Sequence, residues 1–272
     1  MSTRRPTPEA LSAAERLIHP PHEAAGTGRR TGTHGMKRLP VDVFRNTVFW
    51  FVALLVVLVA GFWESYFSTL FQGVHITHHF HGVTMLAWVL LLITQAALVR
   101  TGRLSLHRVV GRVSYVVAPL VVVSGVAVNL YFIGRLEEPL VPPALSAYWF
   151  GYFLAGLFAV LYTLAMIHRR NFHLHARYMI ATGLVFLVPG LSRALLNIVE
   201  PLGLPSLGFY QTQIFTGLLG VACIGWDRMR GPIRAPFVVF TVAWGLHLVI
   251  WHLIPHWGAW RTFTAWSAAL GS

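Results

Sequence analysis

Charge is the first thing this sequence has little of: 11% of its 272 residues are charged and 56% are hydrophobic. The charged fraction is about half that of an ordinary soluble domain, which excludes a typical soluble enzyme. Acidic residues number nine, and apart from Glu64 they are absent from the apolar runs, with Asp42 and Asp227 at run ends. Acid–base catalysis by paired carboxylates therefore has little to work with. Lys37 is the one lysine, which excludes a retinal Schiff base, and no glycine-rich phosphate cradle occurs. Cys223 is the one cysteine, so there is neither a disulfide framework nor a cysteine-based zinc site. It lies in an apolar run and reads as a buried thiol.

What the chain does have is long apolar runs separated by arginine. About 20 apolar residues cover a hydrocarbon core of about 30 Å. Seven runs qualify: about 47–68, 82–99, 109–132, 147–168, 176–197, 207–226 and 235–254. An all-α membrane bundle is the fold class this pattern predicts. With the N-terminus inside, 18 of the 21 basic residues fall on the cytoplasmic side, while only Arg135 and Arg261 fall outside and Arg193 lies within the fifth run. Such consistent sorting predicts an N-in, C-out protein of the bacterial inner (plasma) membrane. The net charge of +12 is thus read as orientation in a lipid bilayer, with no nucleic acid as partner. Trp50, Trp63, Tyr66, Trp149, Trp226, Trp251 and Trp257 sit near run ends, as interfacial belts do.

Three segments follow: a disordered basic cytoplasmic tail over 1–45, a helical bundle over 46–260, and a short outer segment over 261–272. The first apolar run is too long for a signal-peptide core. Met36, followed by Lys37 and Arg38, is an alternative start of translation.

Chemistry, if present, belongs to the 14 histidines. His19, His22 and His34 are in the tail, and His107, His168, His173 and His175 mark the inner face. His75, His78, His79, His81, His247, His252 and His256 are in or near the outer half. His247 lies about 18 Å from the inner end of the last run, inside the hydrocarbon, where an ionisable side chain is a functional-site hypothesis by default. A neutral imidazole bonded to a backbone carbonyl or to Trp244 is the bland alternative. His75, His78 and His79 form an HxxHH stretch that could bind iron, zinc or copper, against the alternative of a water-facing loop. His252 and His256 are spaced HxxxH, but Pro255 breaks the helix between them. Glu64 and Arg193 each fall roughly 25 Å above the inner face, so they are expected to pair, with Glu200 as competing partner.

At the inner face, His107-Arg108-Val-Val-Gly111-Arg112 and His175-Ala-Arg177-Tyr178-Met179 each begin a run. Together with Phe80-His81-Gly82, Pro189 and Arg193, these residues resemble a family of bacterial multi-pass membrane proteins classed as a domain of unknown function, over about residues 80–195. The resemblance implies a membrane location and marks His81, His107, His175, Arg177 and Arg193; it implies no activity. More distantly, the arrangement resembles transmembrane two-haem cytochromes b. If haem b is present, the depths of the histidines along their runs predict an outer haem held by His81 with His247 or His252, and an inner one held by His107 with His175. The expected function is histidine-based redox chemistry with haem b or a transition metal, serving a redox partner or a larger complex. Two alternatives stand beside it: a non-enzymatic small-solute carrier or accessory subunit, and a membrane metal-dependent oxygenase using the outer cluster.

Overall fold

A computed structural model describes residues 44, 46–199, 202 and 208–271 of the chain. These belong to one unit, Pro40–Ser272. Glu200 and, apart from Phe44, the tail expected over 1–45 lie outside the described residues.

Every regular element among the described residues is helical. In chain order they are α1 (Thr47–Gly61), a π-helical turn (Trp63–Phe67), α2 (Ile76–Arg100), α3 (Leu104–Gly111), α4 (Ser114–Gly134) and α5 (Pro142–Ile167). Then come α6 (Phe172–Leu184), α7 (Leu187–Val199), α8 (Phe209–Arg230), α9 (Ala235–Leu253), a 3-10 turn (Ile254–His256) and α10 (Gly258–Gly271).

Five stretches are long and apolar enough to cross a bilayer: Ile76–Arg100, Ser114–Gly134, Pro142–Ile167, Phe172–Ile198 and Ala235–His256, with mean hydropathy between 1.8 and 2.2. This is the architecture of a multi-pass membrane protein. The other two expected runs differ for visible reasons. α1 stops after 15 residues, where the backbone widens into the π-helical turn. α8 has 22 residues but carries Gln211, Thr212, Gln213 and Thr216 in its first half and Asp227, Arg228 and Arg230 in its last turn.

Lipid tails are as apolar as leucine, so close packing and internal hydrogen bonds hold such a bundle together. Trp88, Leu92, Phe158, Leu161, Val185, Phe240 and Trp244 form the shared core. Large apolar residues face outward instead, among them Trp50, Ile76, Val116, Leu218 and Val249. α1 and α7 approach through Gly61 and Gly190, where a Cβ on Gly61 would collide with the Gly190 carbonyl. Asn197 Nδ2 donates to the carbonyls of Ala60 and Gly61, each at 3.4 Å, at the point where α1 gives way to the π-helical turn. Most of the segment expected as a short outer piece over 261–272 is helical and belongs to α10. α10 packs back along α4, with Trp260 Nε1 donating to the Leu145 carbonyl on α5 at 3.1 Å.

Candidate functional site

α2 and α4 are joined by the short helix α3, which places His107 where the chain turns, beneath Gln95 of α2. α6 begins with Asn171, whose side chain caps the helix by accepting from the Leu174 N–H. The next turn of α6 carries His175. The two imidazoles meet with ring centres 6.4 Å apart and planes at 90°.

Each ring is held by one nitrogen. His175 Nδ1 lies 2.9 Å from the Ala165 carbonyl, an acceptor only, so Nδ1 carries the proton and Nε2 presents a lone pair. Assigned by its surroundings, with nitrogen and oxygen exchanged so that both ends are satisfied, the buried Gln95 amide directs its nitrogen toward His107, donating to Nδ1 at 2.6 Å and to the His107 carbonyl at 2.9 Å. Its amide oxygen accepts from the Gly111 N–H at 3.2 Å. A neutral His107 so held carries its proton on Nε2. Burial, with His175 and Arg108 adding to it against an opposing contact with the Gln95 backbone, holds the His107 imidazole below the ordinary histidine range. Neither Nε2 has a hydrogen-bond partner among the described residues.

Beside this pair, α6 is locked to α8. Arg177 and Asp227 are 5% and 2% exposed, and Nη2 meets Oδ1 at 2.6 Å while Nε donates to both carboxylate oxygens. Phe44 lies under the guanidinium, whose Nη1 donates to the His173 carbonyl. It is the one ion pair within 4 Å among the described residues.

His247 is different. It is 1% exposed, at mid-length of α9, and both its nitrogens are occupied. Nδ1 accepts from Trp149 Nε1 at 3.1 Å, which leaves Nε2–H to donate to Gln213 Oε1 at 2.6 Å. Phe153 stacks on the ring at 4.1 Å. The expected alternative partner, Trp244, bonds instead to the Gln213 carbonyl.

The remaining candidate residues spread apart. His81 Nδ1 lies 3.3 Å from Ser124 Oγ on α4, and no contact joins it to His247 or His252. His252 Nε2 bonds Tyr210 at 2.9 Å. His75 stacks on Tyr131, His78 meets the edge of the same ring, and His79 Nδ1 lies 3.4 Å from the Tyr66 hydroxyl. Among the described residues no three His, Cys, Asp or Glu side chains gather to hold a bare metal ion. The expected Glu64–Arg193 pair is not formed: Glu64 is exposed, while Arg193 covers the Phe62 ring at 4.7 Å and donates to the Pro189 carbonyl at 3.1 Å. Helical depth placed the two at similar height but carried no information about azimuth.

No family model, no curated protein and no solved structure matches this chain. Its chemistry therefore rests on its own geometry. Two of the five expected cofactor-binding histidines, His107 and His175, meet; His81, His247 and His252 stay apart. Gln95, Gln213 and the pairing of the marked Arg177 with Asp227 are what sequence reasoning passed over. Their signal was present, since each is a polar side chain in or beside an apolar run, the setting in which such groups need a partner.

Proposed function

We propose that the chain crosses the bacterial inner membrane seven times, N-terminus inside and C-terminus outside, and that the inner-face pair His107 and His175 holds a single haem b for electron transfer. α1 with its π-helical turn and α8 supply the two crossings beyond the five strongly apolar ones. The arginine distribution supports the orientation. A reporter that fluoresces only in the cytoplasm should glow when inserted after Arg170 and stay dark at the C-terminus.

The observation that carries the haem reading is the meeting of the two rings. A metal about 2 Å from a nitrogen of each imidazole requires ring centres roughly 6 Å apart, and the observed separation is 6.4 Å. Haem also asks for only two protein ligands, whereas a bare transition metal asks for three or four. His175 fits an axial role as it stands, because Nδ1–H on a backbone carbonyl orients a ligating ring. His107 fits once the Gln95 amide turns over and frees Nε2. Bound haem supplies a one-electron couple at iron, and the chain's own residues orient the two rings and limit their access to water. No outer haem is proposed, since His247 has no free nitrogen.

The Gln95 orientation favours one second reading, a proton-coupled small-solute carrier without cofactor. There His107 Nε2–H and the His175 Nε2 lone pair form a complementary donor and acceptor. Oxidised and reduced absorption spectra of the purified protein decide between the two readings. A b-type spectrum lost in both His107→Ala and His175→Ala supports haem, and a colourless protein after haem supplementation removes it.

A further inference from the structure

Gln95 stands in the second span, fully within the reach of His107 yet assigned no role by the residue pattern around it. Three contacts fix its amide: nitrogen to the His107 Nδ1 and carbonyl, oxygen to the Gly111 N–H. The opposite orientation sets oxygen against the His107 carbonyl and nitrogen against the Gly111 N–H, two repulsive contacts in a site where Gln95 is 9% exposed. A buried amide with one satisfied orientation dictates the protonation pattern of the ring it touches, because a nitrogen that accepts cannot carry a proton.

We infer that Gln95 is a positioning residue that selects the His107 tautomer, keeping the proton on Nε2 in the empty protein and yielding it only when the amide turns over. As it bears on haem binding, this rests on the haem reading above; as it bears on the ring itself, it does not. On loading, Nε2 loses its proton and becomes the ligating atom, while Nδ1 gains a proton whose acceptor is the amide oxygen, now facing it. The proton count of the ring is unchanged, since one nitrogen releases what the other takes up. Loading therefore works against the two repulsive contacts, and Gln95 tunes affinity without touching the bound group. Gly111 belongs to the same device. Its N–H is the donor that holds the amide oxygen away from the ring.

Replacing the amide by a carboxylate removes the donor and leaves only acceptors. Gln95→Glu should then draw the His107 proton from Nε2 to Nδ1. The measurement is the ring 15N spectrum of histidine-labelled, cofactor-free full-length protein in detergent at about pH 9, above the ordinary histidine range. The His107 signal is assigned by its loss in His107→Gln. Wild type should show a protonated Nε2 and a hydrogen-bonded, unprotonated Nδ1; Gln95→Glu should show the reverse. A wild-type Nδ1–H, or a Gln95→Glu ring that keeps its proton on Nε2, overturns the inference. The wild-type spectrum carries the test if Gln95→Glu fails to fold. In haem titrations Gln95→Glu should bind about 10-fold more tightly than wild type, the scale of changes around a ligating histidine. Absence of haem binding in every variant would defeat the haem reading while leaving the tautomer result standing. Equal affinity in wild type and Gln95→Glu would defeat the role of Gln95 in loading while leaving haem in place.

Discussion

The His107–His175 pair and His247 are built from the same side chain and reach opposite chemical ends. His107 and His175 are each anchored through Nδ1, and each keeps Nε2 without a protein partner. His247 is buried more deeply, stacked on Phe153, and spends both nitrogens on Trp149 and Gln213. Depth in the bilayer is thus a poor guide to function for histidine. A satisfied imidazole can be a structural cross-brace, here tying α5, α8 and α9 together, whereas a site needs an anchored ring with one valence to spare.

The sharpest way to break this contrast is to remove a ring from each region. If the pair holds haem as proposed, His107→Ala or His175→Ala should lower haem affinity by about 100-fold or more, since each would remove a ligand rather than its support. His247→Leu should leave the haem spectrum and affinity unchanged. Retained binding in His175→Ala, or lost binding in a folded His247→Leu, would reverse the assignment of roles.

Stability separates the regions in the other direction. Removing one partner of the Arg177–Asp227 pair leaves a buried charge alone and should cost about 3–5 kcal/mol, measured by unfolding in detergent. The double variant Arg177→Met with Asp227→Leu should recover most of that loss, because packing can replace a buried pair. His247→Leu strands Trp149 Nε1 and Gln213 Oε1, at about 1–3 kcal/mol for each group left unpaired. An undiminished stability for His247→Leu would show that the brace is not under load.

Much of the fold could be read from the sequence because hydropathy reports length and burial directly. Five apolar runs became membrane-length helices near their expected bounds. The polar faces of α8 and the early end of α1 escaped notice because a run average hides Gln213 beside Phe215 or a helix break at Phe62. For the site, the sequence placed residues by height. His107 and His175 met because each lies in the first turn of a helix and α2, α5 and α6 share a core; Glu64 and Arg193 were placed at equal height, but Arg193 turns to Phe62 and the Pro189 carbonyl. Rotation about a helix axis depends on packing, which no depth count contains.

The smallest effect expected is at Glu64. It is exposed in the π-helical turn, and its only hydrogen bond there runs through its backbone carbonyl, which accepts from Ser68 Oγ at 3.2 Å. Its carboxylate therefore has no partner in the bundle to lose, and Glu64→Gln should change stability by no more than about 0.5 kcal/mol, the range of surface substitutions. Arg193→Gln removes a guanidinium that covers Phe62 and caps the Pro189 carbonyl, so it should cost more, about 1 kcal/mol for the lost cation–π contact and hydrogen bond. If the two residues formed a pair, the double variant would be less damaging than the two single losses summed. With no pair between them, the losses should add to within about 0.5 kcal/mol. A coupling larger than that, in a double-mutant cycle on detergent-solubilised protein, would restore the ion pair and show that azimuth, like height, had been legible after all.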